Sequence, residues 1–228
     1  MSELTFAECS AAGLNTKHAE HYQEEYFAWQ KTVGEFGGWA NLHKFQDYIR
    51  PTDRVVDFGC GGGFLLKQIE CREKLGIDVN PVAAQNAREL GIRAESSPAD
   101  VPDSWADVIV SNHALEHARN PLAELEQLWR ILKPGGKVVL VVPCETIRAR
   151  YVADDINYHL FTWSPVNLGN LFSEAGFRVI ESKPYMYKWP PFKRQIVKLF
   201  GRTGFNFFAG IRARLDRRDF QVRVVATK

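Results

Sequence analysis

The chain predicts an α/β fold, a mostly parallel sheet covered by helices on both faces. Three observations carry this. Short apolar runs bounded by turn residues alternate with helical patterns along most of the 228 residues. One run, Val138-Val139-Leu140-Val141-Val142, is apolar at every position, as a central strand covered on both faces must be. The first run, Val55-Val56, leads into a glycine-dense turn, Asp57-Phe58-Gly59-Cys60-Gly61-Gly62-Gly63, behind which Phe64-Leu65-Leu66 opens a helix. Strand, glycine turn and helix start in that order mark the place where an open parallel sheet takes a nucleotide, because glycine lets the backbone approach a ligand without a Cβ between them.

The remaining elements follow in order. Residues 54–58 predict the first strand and 64–70 a helix. Residues 74–78 predict the second strand, and Pro81 sits at the first turn of a helix that runs to Leu90 and closes at Gly91. A short third strand lies near 92–95 and a fourth over 106–111. Pro121 opens a helix ending at Leu132, before a turn at Lys133-Pro134-Gly135-Gly136 and the fifth strand at 138–142. Ser164 caps the helix that Pro165 begins, and Gly176 ends it. Residues 177–180 predict a sixth strand, and 221–226 alternate as a last, outer one. The expected organisation is a single domain over 1–228. It comprises a helical cap (1–50), a core (51–182), a basic aromatic insertion (183–220) and the last strand (221–228).

Composition excludes several classes. Hydrophobic residues at 45% and charged residues at 25% are ordinary for a soluble globular protein. No apolar run approaches the ~20 residues that span a bilayer. The first residues lack a basic start followed by an apolar core, which argues against a secretory signal. The cysteines at 9, 60, 71 and 144 form no C-x-x-C pair, so reduced thiols in a cytoplasmic protein are expected, with neither a disulfide frame nor a zinc site. The net charge of +2 conceals an asymmetry, since residues 183–220 carry 10 Lys/Arg against 2 Asp/Glu on an otherwise acidic chain.

The glycine turn excludes two nucleotide motifs. A dinucleotide fingerprint needs G-x-G-x-x-G/A, and counting from Gly59 puts Phe64 at the third position, where it would obstruct helix–strand packing. The phosphate-loop pattern has no Gly-Lys-Ser/Thr to complete it. What fits is an acidic residue followed by alternate glycines: Asp57, Gly59, Gly61, Gly63. This spacing resembles motif I of the class I S-adenosylmethionine-dependent methyltransferases. So do Gly76-Ile77-Asp78-Val79-Asn80-Pro81, the stretch from Asp107 to His117 with Asn120-Pro121, and Arg130-Ile131-Leu132-Lys133-Pro134-Gly135-Gly136-Lys137. The segments His159–Pro165 and Glu174-Ala175-Gly176-Phe177 resemble the C-terminal half of the branch that methylates small molecules, sugars and lipid precursors. The likeness covers about residues 53–182, with the blocks in order.

The resemblance implies a Rossmann-like seven-stranded sheet with its last strand antiparallel. It implies S-adenosylmethionine as cofactor and S-adenosylhomocysteine as product. Asp57, Gly59, Cys60, Gly61 and Gly63 would form the cofactor loop, with Asp78 on the ribose hydroxyls and Val79 beside it. Ser97 and Ala99 would stand near adenine, although Ser97 replaces the usual aspartate and Pro98 has no N–H to offer. Ser111, Asn112 and His113 would flank the methionine end, and Tyr22, on an amphipathic N-terminal run with Tyr26 and Trp29, would close over it.

The acceptor is expected to be a small molecule, a sugar or a lipid-linked compound, methylated at oxygen. Methyl transfer needs in-line positioning and, for a hydroxyl, a base. His159, His117 and His113 are the candidates. The string His113-Ala114-Leu115-Glu116-His117 also has the H-x-x-E-H form of inverted zinc peptidases, but it follows directly on a strand without an evident third ligand, so no metal is expected. For residues 183–220 a substrate lid ranks first and peripheral membrane contact second. Nucleic-acid binding ranks lower, because the body is acidic. The alternatives for function are an RNA methyltransferase and a non-catalytic S-adenosylmethionine-binding partner protein.

Overall fold

A computed structural model describes residues 24–146, 149–153, 155–216 and 219–228 of the chain. Seven strands form one sheet: β1 (Arg54–Phe58), β2 (Glu73–Ile77), β3 (Arg93–Glu95), β4 (Ala106–Asn112), β5 (Leu132–Glu145), β6 (Arg178–Tyr185) and β7 (Asp219–Thr227). Their order is β3-β2-β1-β4-β5-β7-β6, with β7 antiparallel to both neighbours and β1 to β5 parallel. The chain leaves β1 toward β2 and returns to β4 on its other side. That reversal opens a crevice beyond the carboxyl ends of β1 and β4, where open α/β sheets hold ligands.

Described helices cover the sheet: α1 (Glu24–Asn41), α2 (Phe64–Gln68), α3 (Pro81–Glu89), α4 (Pro121–Ile131), α5 (Pro165–Glu174) and α6 (Lys193–Leu215). Their starts follow from local chemistry. The Asn80 side chain accepts from the backbone N–H groups of Val82 and Ala83, with Pro81 in the first turn. Ser164 and Asn167 form a reciprocal capping box at α5. Two apolar layers result. One packs α4 and α5 against β1, β4 and β5 through Leu125, Leu128, Leu168 and Phe172. The other places Leu66, Ala87 and Val139 on the opposite face.

Three sequence expectations are corrected. The helix after the glycine turn ends at Gln68, not at residue 70. The turn at 133–136 lies inside β5, where the pairing shifts between Ala106↔Leu132 and Val108↔Lys137. Gly135 adopts φ +77° there, and its N–H donates to the Lys228 carbonyl, so the end of the chain holds an irregular stretch of strand in the sheet. The strands also run further into the basic segment than expected, β6 to Tyr185 and β7 from Asp219.

The N-terminal cap and the basic insertion meet. Tyr187, Phe205 and Ala209 form a cluster with Ala40, flanked by Phe36, Trp39 and Trp189. Phe36 meets Trp189 and Phe205 edge-on, at 5.2 and 5.5 Å between ring centroids. On its other side α1 lies on α2 by virtue of two glycines. A Cβ at Gly34 would come within 2.3 Å of the Phe64 ring, and one at Gly38 within 2.2 Å of the Phe64 carbonyl oxygen.

Candidate functional site

Two cavities open at the crevice, and His113 lines both. The first, of about 430 Å³, is walled by Phe58, Gly59, Asp78, Val79, Ser97 and His117 among others. Gly59 has φ +73°, and a Cβ there would lie 2.2 Å from that of Ala114. Backbone conformation and space therefore both require glycine at this point. Gly63, φ +79°, instead presses the turn onto Ala87 and Ile92 of the layer behind. Asp78 is fixed by the turn it serves, accepting from Gly61 N at 2.7 Å and from Asn80 N at 2.9 Å. Burial raises its pKa while these two N–H groups pull it back down. Asp57 lies deeper, and burial followed by the neighbouring Asp78 charge pushes its carboxyl well above the usual range.

Of the residues expected around a cofactor, this cavity gathers Gly59, Asp78, Val79, Ser97 and His113. The lining does not include Asp57, Cys60, Gly61, Gly63, Ala99 or Ser111. Cys60 is buried and packs against Gly76, where a Cβ would be 2.5 Å from its sulfur. Ser97 Oγ accepts from Ala99 N and so caps the short turn that brings Pro98 into the wall. Ser111, wholly buried, donates from Oγ to the Phe58 carbonyl at 2.7 Å and ties β4 to β1. Tyr22 lies outside the described residues.

The second cavity, also about 430 Å³, is built by parts that sequence reasoning did not connect. Asn112 and His113 supply its floor, Lys44 its inner wall, and Tyr187, Trp189 and Arg212 its cover. Lys44 is 2% exposed, and its ammonium donates to Asn112 Oδ1 at 2.8 Å and Gln221 Oε1 at 2.9 Å. Burial lowers its pKa to about 7, with the Glu116 charge pulling the other way. Arg212 donates to the Trp189 carbonyl at 2.6 Å, which fixes the cover to α6. Lys188 also lines this cavity and pairs with Asp216 at 2.9 Å.

The three candidate bases lie close together, but His113 lines both cavities, His117 the first alone and His159 neither. His113, at the end of β4, holds the left-handed φ of +59°, unusual for a residue with a Cβ, while its N–H donates to the Val141 carbonyl. Its Nδ1 is 3.2 Å from Glu116 Oε1, and His117 Nε2 is 4.0 Å from the same oxygen. The H-x-x-E-H string is not an α-helix, because Leu115–His117 forms one 3-10 turn. His159 arrives from the segment after β5, its Nδ1 2.7 Å from Glu145 Oε1 and its ring centroid 5.0 Å from that of His117. Leu160 and Phe161 donate their N–H groups to the Glu116 carbonyl and hold that segment in place. Glu145, Lys44 and Arg212 were missed because each is unremarkable in its own stretch of sequence, and only tertiary contact gives it neighbours; Glu116 was noticed only as part of the H-x-x-E-H string.

A family model described as a methyltransferase domain matches residues 19–182. An uncharacterized methyltransferase of Schizosaccharomyces pombe is 32% identical over 104 residues, 40% of this chain and 40% of that protein. Phosphoethanolamine N-methyltransferase 3 of Arabidopsis thaliana is 28% identical over 124 residues, 48% of this chain and 25% of that protein. The chain thus spans less than half the length of these curated relatives. Among solved structures, a Haloferax volcanii methyltransferase complex with the Trm112 activator aligns with TM-score 0.67 at 22% identity, over 90% of this chain and 99% of that one. A S-adenosylmethionine-dependent methyltransferase from Archaeoglobus fulgidus aligns with TM-score 0.63 at 19% identity, over 90% and 100%. The glycine turn, the Asp78 carboxylate at the end of β2 and the β3-β2-β1-β4-β5-β7-β6 sheet agree with that match: the chain belongs to the methyltransferase-domain family, on the fold of the S-adenosylmethionine-dependent methyltransferases.

Proposed function

We propose that the chain binds S-adenosylmethionine in the first cavity and transfers its methyl group to an oxygen of a small or lipid-linked acceptor bearing an acidic group in the second. The cofactor fits the residues present. Asp78 offers a fixed carboxylate to the ribose hydroxyls, and Gly59 leaves bare backbone where a Cβ would meet Ala114. The cofactor's sulfonium supplies the leaving group, so the protein's task is to align the acceptor and take up a proton. His113 stands where the two cavities join, which suits a base for the acceptor hydroxyl.

One observation carries the choice of acceptor. Lys44, Lys188 and Arg212 line the second cavity, and no carboxylate does so among the described residues. Such a wall favours a carboxylate or phosphate on the acceptor. Tyr187 and Trp189 supply apolar area beside these cations. The segment around α6 thereby supplies part of the acceptor wall, which supports the lid reading of the basic insertion.

Two measurements test this. Calorimetry should show S-adenosylhomocysteine binding that weakens at least tenfold in Asp78→Ala, since charge-assisted hydrogen bonds contribute roughly 1.5–3 kcal/mol each. Methyl transfer from labelled cofactor should favour acidic acceptors at least tenfold, about 1.4 kcal/mol, over uncharged counterparts. Transfer confined to neutral acceptors or to peptides would sink the acceptor assignment, and unchanged binding in Asp78→Ala would sink the cofactor site.

A further inference from the structure

Imidazoles and carboxylates gather behind His113 and His117, with Glu116, Glu145 and His159 outside the lining of either cavity. We propose that Glu116, His117 and His159 form a binding site for a divalent transition-metal ion. One potential ligand atom from each lies within 4.8 Å of the others. Two imidazoles and a carboxylate with further positions open form a ligand set that Zn²⁺, Mn²⁺ and Fe²⁺ accept. Ligands about 2.1 Å from a tetrahedral ion stand roughly 3.4 Å apart, so small side-chain rotations close the set.

Two independent features point to a ligand. Glu116 is fully buried, and neither of its carboxylate oxygens has a hydrogen-bond partner among the described residues. The nearest ring nitrogens to Oε1 are His113 Nδ1 at 3.2 Å and His117 Nε2 at 4.0 Å, while Oε2 has no such neighbour among the described residues. A carboxylate taken out of water without hydrogen bonds is costly unless a cation or metal meets it. The second feature is the Glu145–His159 contact at 2.7 Å. A carboxylate accepting from Nδ1–H leaves the Nε2 lone pair outward, the outer-sphere arrangement that typically orients a metal-binding histidine. The local backbone holds the set together. The 3-10 turn Leu115–His117 presents Glu116 and His117, and the Glu116 carbonyl accepts from Leu160 and Phe161, the residues that follow His159. The H-x-x-E-H string in sequence offered His113 and His117 as ligands, whereas the fold groups Glu116 and His117 with His159, 42 positions beyond His117.

His117 also lines the first cavity, so an ion held here would lie beside the reacting centre. In that role, which rests on the methyl-transfer reading above, the ion would lower the pKa of an acceptor hydroxyl. The proton passes to His113, the oxygen pair forms the new O–C bond, and the C–S bond electrons return to sulfur. Metal binding itself rests on no part of that reading.

The test therefore uses neither cofactor nor acceptor. The full chain is stripped with a chelator and titrated calorimetrically with Zn²⁺ and, separately, Mn²⁺. Metal content is then measured after desalting. One equivalent of at least one ion is expected, with affinity at least tenfold weaker in Glu116→Gln and His159→Ala. Glu145→Gln, at a partly exposed position, should weaken binding by about 10- to 100-fold as an outer-sphere partner does, while His43→Gln should leave it unchanged. Circular dichroism shows which variants are folded, and Glu145→Gln decides the question if the buried changes unfold the chain. Binding well below one equivalent, or affinity equal to wild type in the folded variants, overturns the site. Loss of methyl transfer with metal binding intact would instead overturn the function proposed above.

Discussion

Single residues in this protein divide by whether their neighbours in sequence explain them. Asp78 is legible from sequence because a carboxylate at the end of a second strand has a use only if the glycine turn lies beside it. The structure places the turn's own Gly61 N–H on that carboxylate. Lys44 carries no such signal. It follows no motif, and its burial depends on Asn112 and Gln221, which lie 68 and 177 positions away. His43, its neighbour, makes a measurable case. Its Nδ1 faces the Ala40 carbonyl at 3.3 Å and its Nε2 faces the Tyr185 hydroxyl at 3.0 Å, an arrangement for a neutral ring that donates from Nδ1 and accepts at Nε2. Burial lowers its pKa from 6.5 to about 4. The unfolded chain thus binds more protons between those values, and stability rises with pH across that window. The contribution is fully present above pH 6.5 and is lost as pH falls through about 4. Thermal melting from pH 7.5 down to about 4.5 should show this decline, and His43→Gln should flatten it. An equal decline in the variant would assign it to other groups.

Among the elements, α1 shows how one residue can carry two messages. In sequence, Phe64 argues against a dinucleotide loop because it replaces a packing glycine. In the structure that ring is what α1 lies on, through Gly34 and Gly38. The close approach is to backbone as well as ring, because a Cβ at Gly38 would sit 2.2 Å from the Phe64 carbonyl at the start of α2. Gly38→Ala should therefore destabilise the protein by roughly 1–3 kcal/mol, the usual range for overpacking a fitted contact. Urea unfolding would show this as a lower midpoint with little change in slope. A midpoint equal to wild type would mean that α1 is not seated there. Element type was legible wherever periodicity and caps agreed, as at Asn80-Pro81 and Ser164-Pro165. It failed at 133–136, where Pro-Gly-Gly reads as a free turn and long-range pairing with the chain end absorbs it into β5.

At the scale of the molecule, the acidic body and the basic α6 segment divide the surface. The exposed side chains of Phe192, Leu199, Phe200, Phe207 and Leu215 stand among the lysines and arginines of α6. No described helix is long and apolar enough to cross a membrane. An apolar and cationic surface of this kind suits the boundary of an anionic bilayer. Flotation should recover the protein with vesicles containing anionic lipid and not with neutral ones, and recovery should fall with salt. Recovery unchanged in a Leu199→Ser, Phe200→Ser, Phe207→Ser variant would remove this face from the account. The sequence by itself determined the strands, the helix starts and the glycine turn, since strand periodicity and helix caps act over a few residues and need no distant partner. Only the tertiary structure decided which side chains gather around the end of β4. Lys44, Glu116, Glu145, His159 and Arg212 come from five separate segments, and their chemistry exists only once folding has removed water from between them.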